Sequence, residues 1–449
     1  MRAGAIRLFI GALAACGGRV GSSPSDAGDA RVPLTLRFDP DVACVAQGSR
    51  IGVLVTVERD PNAAAKDVEI TATRLPGGVS VEPLTIPAGR TSGLLYFDVG
   101  ASTPGRAKIS IDANGRKASF ILWVGPQLGT PDVVSLSLSP GARDLIAVQG
   151  EETIVGETSE VPPNDNGVAP TTTLVRLRRD WTLDPTFGSS GSVVLGISGG
   201  SLATRADGSI VVGTSSLEES TPCSHLTVLS RDGSNPAAIP EPNNISCDRS
   251  DAVQTFVAPD QSTYVCGWAW DCCGFLERYT ASGEVDTSFG HEGSVGTSDP
   301  YINSTYACAL HGDRIALAGY HGLFEVDLRG HLAFSAKDDE TGMDQFSAVG
   351  IGEDRTVYAG ALGVLRAFED DGSVDTAFGE SGDLNIAGAP SAVLPRHDGI
   401  VLVTSTRITR LASDGTSAVV IGEGGGAAAQ DSCGRIVSSG PKEADRYWP

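Results

Sequence analysis

The chain has 449 residues with 56 Gly, 25 Pro and only two Met and shows no long helical periodicity, a composition that favours short strands and many turns over a helical fold. Its length suits two or three domains with sizeable cores. A formal charge of −22 with no run of Lys or Arg repels phosphate backbones and excludes nucleic acid as the expected partner.

Residues 1–16 read as a secretory signal: Arg2 and Arg7 supply the basic start, and LFIGALAA is an apolar run of h-region length, too short to span a bilayer. The run ends in Leu13-Ala14-Ala15-Cys16, which resembles the bacterial lipobox, where small residues precede a Cys that is diacylated and becomes the new N-terminus. The resemblance implies lipidation at Cys16 and an exported protein anchored in the cell envelope. Gly17 after the Cys is similar to lipoproteins passed to the outer membrane or cell surface. Loss of residues 1–15 removes two arginines, so the mature chain falls from −22 to −24. Residues 17–31, GGRVGSSPSDAGDAR, are small and polar and are expected to form a flexible tether.

From residue 32 to 126 the apolar residues alternate with period two, as in Ile51, Val53, Val55 and Val57, or Phe120, Leu122 and Val124. Turn signals such as Pro76-Gly77-Gly78 and Asn114-Gly115 divide the segment into about seven strands, which predicts a β-sandwich. GGVSVEPLTIPAGRTSGLLYFDVGASTPGRAKISI resembles bacterial immunoglobulin-like modules. These usually serve as spacers or adhesion units.

Residues 130–449 are organised by a repeat. LVRLRRDWTLDPTFGSSGSV (from Leu174), LERYTASGEVDTSFGHEGSV (from Leu276) and LRAFEDDGSVDTAFGESGDL (from Leu365) share an apolar strand, a polar turn and a D-x-x-F-G element. Asp184, Asp286 and Asp375 lie 102 and 89 residues apart, twice the length of a four-stranded propeller blade, so diverged copies are expected between them. A hairpin of the form LATRADGSIVVGT recurs from Leu145, Leu202, Phe256, Cys308, Val349, Ala392 and Ala427, which makes seven units. The last unit ends where its third strand would lie, and the unassigned strand Val133 to Ser139 could complete its sheet and close the ring. The predicted fold class is therefore all-β, a sandwich followed by a propeller of seven blades. The pattern resembles the delta-60 repeat, a bacterial propeller-like family whose resemblance implies a fold and no activity.

Phe187, Phe289 and Phe378 are expected to pack between blades, Gly188, Gly290 and Gly379 to permit the turn that follows, and the three Asp residues to accept backbone N–H bonds. Recurrence at equivalent places argues for structure, because an active site is needed once. Gly196-Ile197-Ser198-Gly199-Gly200 matches G-x-S-x-G, but a strand and not a helix is expected after it. Gly422 to Ala427 matches G-x-G-x-x-A without a surrounding βαβ unit. Glu369 to Asp375 carries some oxygen ligands of a calcium loop and lacks the distal Glu, so the expectation is no cofactor, with calcium there as the alternative. No catalytic constellation emerges.

Eight Cys remain besides Cys16, an even number that suggests disulfides in an exported chain. Cys223, Cys247, Cys272 and Cys273 fall in loops at one end of the propeller, and Cys266 and Cys308 beside them. Cys223 with Cys247 is the first expected pair, then Cys308 with one of Cys266, Cys272 or Cys273. The same loops carry Glu157, Glu160, Asp165, Glu218, Glu219, Asp248, Asp251, Asp271, Asp299, Asp338, Asp339 and Glu340, next to Trp268 and Trp270, which could stack on a sugar or peptide. The expected function is a non-catalytic binding protein of the cell envelope that takes a protein or glycan partner of cationic character at Trp268, Trp270 and Asp271. The alternatives are a glycoside hydrolase or polysaccharide lyase on a propeller scaffold, or a purely structural envelope lipoprotein.

Overall fold

The computed structural model describes residues 34–39, 42–59, 66–101, 105–127, 132–135, 143–159, 171–215, 226–239, 250–269, 274–296, 305–320, 322–337, 345–396, 399–431, 435–440 and 443–447. Residues 1–33, which include Cys16 and the expected signal and tether, lie outside them. Every regular element among the described residues is a strand, and no helix there is long and apolar enough to cross a membrane. The chain divides into two compact units that separate near residue 131.

In the first unit, two sheets share one core. One sheet has the strand order Leu34–Asp39, Arg50–Arg59, Ser92–Val99, Val79–Val81; the other runs Val42–Gln47, Arg116–Gln127, Gly105–Ala113, Val68–Thr73, Leu84–Ile86. Nine strands thus stand where about seven were expected, because the segment Val79 to Ile86 makes two three-residue strands, one for each sheet. The period-two pattern explains the core directly. Val53, Val55, Val57, Leu95 and Phe97 of the first sheet meet Ile70, Ile109, Ile111 and Leu122 of the second, all nearly inaccessible to solvent. Residues between them face outward, as Leu54 and Leu94 do.

Among the described residues, the second unit has seven antiparallel four-stranded sheets: 143–195, 198–239, 250–295, 305–337, 346–385, 390–422, and one built from 427–447 with 132–135. The first strands of consecutive sheets pack side by side, and Ala427–Gln430 of the last sheet packs on Arg143–Gln149 of the first, so the ring closes on itself. The arrangement is propeller-like. Closure uses the strand singled out in the sequence: Asp132–Ser135 pairs antiparallel with Glu443–Tyr447, opposing Asp132 to Arg446 and Ser135 to Glu443.

The apolar runs follow from this stacking. Ile210 and Val212 point into the core shared with the first sheet, whereas Val211 between them points into the core shared with the third. A strand buried on both faces needs apolar residues at consecutive positions, hence Ile210-Val211-Val212 in place of alternation.

Candidate functional site

The two ends of the ring differ in chemistry. In a sheet of four consecutive antiparallel strands, the hairpins joining strands one to two and three to four lie at one end, and the connections from two to three and to the next sheet lie at the other.

The first end belongs to the repeat. Asp207, Asp232, Asp371 and Asp180 each accept, through Oδ1, both the N–H and the hydroxyl of the residue two places on, at 2.6–3.2 Å. Those hydroxyls hold the four carboxyls below the usual range. The D-x-x-F-G residues do the same. Asp184 accepts from Thr186 N–H (3.1 Å) and hydroxyl (2.8 Å), Asp286 from Ser288 N–H (3.1 Å) and hydroxyl (2.6 Å), and Asp375 from Ala377 N–H (2.9 Å). Burial disfavours the Asp184 carboxylate, but Thr186 and Arg176 outweigh it and hold its pKa at about 2. These carboxylates are occupied by their own turns. The region Glu369 to Asp375 is one such turn, and among the described residues no group of three or more His, Cys, Asp or Glu is placed to hold a metal ion.

The Phe and Gly of the motif latch neighbouring sheets together. Phe187, Phe289 and Phe378 are at most 1% exposed, each worth about 1.5–3 kcal/mol of burial. The N–H groups of Gly188, Gly290 and Gly379 donate to the carbonyls of Asp232, Arg329 and Asp414 in the following sheet, at 2.7, 2.9 and 2.9 Å. Gly290 has φ +53, and a Cβ there would stand 2.2 Å from the Ser294 carbonyl oxygen, so a side chain is excluded.

Two kinds of ion pair were not anticipated from the sequence, one at the latch and one in a sheet without it. Arg176 pairs with Asp184 (2.7 Å) and Arg278 with Asp286 (3.1 Å), each Arg eight residues before its Asp, a recurring column that the alignment of the repeats carried. In the third copy that position is Ala367, and Arg366 pairs instead with Asp383 at 2.7 Å. Glu325, fully buried, meets Arg314 at 2.7 Å; burial pushes its carboxyl above the usual range, and Arg314 opposes the rise.

Cys266 and Cys308 form a disulfide. Both lie within strands, Thr263–Ala269 and Thr305–His311, at most 1% exposed in the core between the third and fourth sheets, rather than at the loop end. The bond covalently joins two sheets across a separation of 42 residues. Cys223, Cys247, Cys272 and Cys273 lie outside the described residues, as do Trp270 and Asp271.

The second end carries the non-repeating connections. Trp268 lies near the end of its strand, half-buried, with Asp251 opposite it in register. Two acids expected in loops are strand residues: Glu157, 3% exposed, belongs to Glu152–Thr158, and half-buried Asp251 to Ser250–Val257. The remaining loop acids lie outside the described residues. At this same end, the tight connections of the fourth and fifth sheets expose apolar side chains: Tyr320 is 41% exposed, and Leu362 is 79% exposed between Ala361 and Gly363. Ser198 opens the strand Ser198–Thr204, and Gly422 and Ala427 bound two strands, so neither glycine motif has the helix its chemistry requires.

These observations define an all-β, propeller-like protein with a self-satisfied repeat end and a variable, partly apolar end. No family model matches the sequence, and no curated protein matches it. Solved structures similar to it include a gluconolactonase from Xanthomonas campestris (10% identity, TM-score 0.40, covering 72% of this chain and 91% of that one). The WD40 domain of Pan2 from Neurospora crassa gives 11% identity and TM-score 0.33 over 56% of this chain and 90% of that one. Apo AztD from Citrobacter koseri gives 11% and 0.33 over 83% and 89%. At such scores these likenesses carry no argument about a site or activity, and the fold rests on the sheet order itself.

Proposed function

We propose that the chain is a non-catalytic recognition protein of the cell envelope, held by a lipid on Cys16, spaced by an immunoglobulin-like sandwich and ending in a seven-bladed propeller of delta-60-like repeats. Its variable end binds a protein or glycan partner. The observation that carries this reading is the exposure of Leu362 (79%) and Tyr320 (41%) on adjacent sheets, where a connection needs only small or polar residues. Trp268 at the same end adds an aromatic surface, and the strongly negative charge of the chain suits a cationic partner whose binding weakens with salt.

The test is a screen of the mature chain against envelope glycans and surface proteins, followed by Tyr320→Ser and Leu362→Ser in one chain. The substitutions should leave the chain folded and weaken binding at least tenfold. Unaltered binding would remove this end from the interaction. Mass spectrometry of the mature N-terminus tests the anchor separately, and an unmodified N-terminus would overturn it.

A further inference from the structure

We infer that the ring fastens by a clasp at Trp181, and that the seam between the last and first sheets is where it opens. Six sheets take all four strands from consecutive chain, whereas the last borrows Asp132–Ser135 and joins it to Glu443–Tyr447 through four residue pairs. Nothing covalent crosses that pairing directly.

Trp181 occupies a position that is glycine in the second to sixth sheets. The turn between third and fourth strands holds Gly233, Gly283, Gly330, Gly372 and Gly415, with φ from +71 to +90, and each donates its N–H to the carbonyl three residues back at 2.8–3.0 Å. Trp181 has φ +66 and donates to the Arg178 carbonyl at 2.9 Å, the same turn. At the glycines, the preceding sheet supplies the bulk: a Cβ on Gly233 would meet Phe187, on Gly372 Phe334, on Gly415 Phe378. At Trp181 the direction is reversed, and the turn itself supplies the bulk.

The indole is 7% exposed among Val155, Val175 and Leu177 of its own sheet and Val437 of the last. The Arg446 guanidinium lies 4.6 Å from its ring centroid, and Arg446 Nη1 donates to the Arg179 carbonyl at 2.9 Å. The C-terminal strand is thereby held by the first sheet as well as by Asp132–Ser135. Trp181 endures two local penalties for this, a left-handed backbone and an indole N–H buried without a hydrogen-bond partner among the described residues. Local propensity would select glycine, so the Trp answers to the seam.

Trp181→Gly separates the two accounts, because it relieves the backbone while removing the clasp. Hydrogen exchange should accelerate at least tenfold in the strands 132–135, 436–440 and 443–447, with 263–269 and 305–311 unchanged. Unchanged or slower exchange at the seam, or a uniform rise around the ring, would overturn the inference. If that variant fails to fold, Arg446→Met decides: faster exchange confined to the seam strands supports the clasp, and no local change overturns it.

Discussion

The boundary between the third and fourth sheets and the one between the fourth and fifth perform the same task with different means. At the former, Tyr264, Leu276 and Phe289 face Ile315, Leu317 and Phe324, the Gly290 N–H hooks the Arg329 carbonyl at 2.9 Å, and the Cys266–Cys308 bond crosses the interface. At the latter there is no D-x-x-F-G motif. Phe334 packs with Phe346 and Phe368 and over Gly372, while buried Glu325 pairs with Arg314, whose other guanidinium nitrogen reaches Asp370 at 3.8 Å. The comparison teaches that the motif latches alternate boundaries, and that intervening ones reach comparable burial with substitutes. This is why the strong copies lie two sheets apart.

The largest effect should come from Phe289→Ala, which empties the centre of the latched boundary and costs about 4 kcal/mol in urea unfolding. A loss under about 1 kcal/mol would mean that the motif does not hold the sheets. Replacing Cys266 and Cys308 with Ala should cost about 3 kcal/mol, and the same boundary in the unmodified protein should respond to reductant only under denaturing conditions, since both sulfurs are buried. Gly290→Ala should cost about 2 kcal/mol, because both φ and the Ser294 carbonyl forbid the methyl. Gly312→Ala, at φ +60 but with nothing within 4 Å, should cost only about 1 kcal/mol. Equal costs would leave backbone conformation alone as the reason for the motif glycine.

Acid separates the ion pairs by sign. Asp184 has its carboxyl at about 2 in the folded chain. It therefore contributes stability above the ordinary value of about 3.9 and loses on the order of 2 kcal/mol as pH falls from there through about 2. Asp184→Asn should abolish that loss. Glu325 is shifted upward, so the folded chain holds its proton more tightly than the unfolded one, and stability falls as pH rises from the ordinary carboxylate value through the raised one. Glu325→Gln should remove the fall. Urea midpoints between pH 2 and 7 measure both, and a common sign would refute the distinction.

Much of this was legible in the residues. The D-x-x-F-G copies, the D-G-type hairpins and the apolar runs are local patterns, each repeated, so the sheets and even the strand at Val133 could be read directly. The Asp184, Asp286 and Asp375 hydrogen bonds are equally local, closing over two residues. The clasp at the seam and the buried charges were not legible, because they depend on which chain segments meet. Trp181 reads as an ordinary aromatic until its turn is aligned with the glycines of the other sheets, and Arg446 lies 267 residues from the Arg179 carbonyl that it binds. Cys308 was expected to bond one of Cys266, Cys272 or Cys273, and it bonds Cys266; what spacing did not reveal is the depth of the sulfurs, which lie in the core between sheets rather than beside the loops.

Taken alone, the sequence determined that the chain is all-β, where its strands lie and which turns recur, because those features follow from side-chain alternation and short-range hydrogen bonding. Tertiary structure alone decided which surfaces are spent on holding the ring together and which remain open. The repeated carboxylates are consumed within their own turns, while Tyr320 and Leu362 are left exposed at the opposite end. Burial is a property of the assembled sheets, and no single strand encodes it.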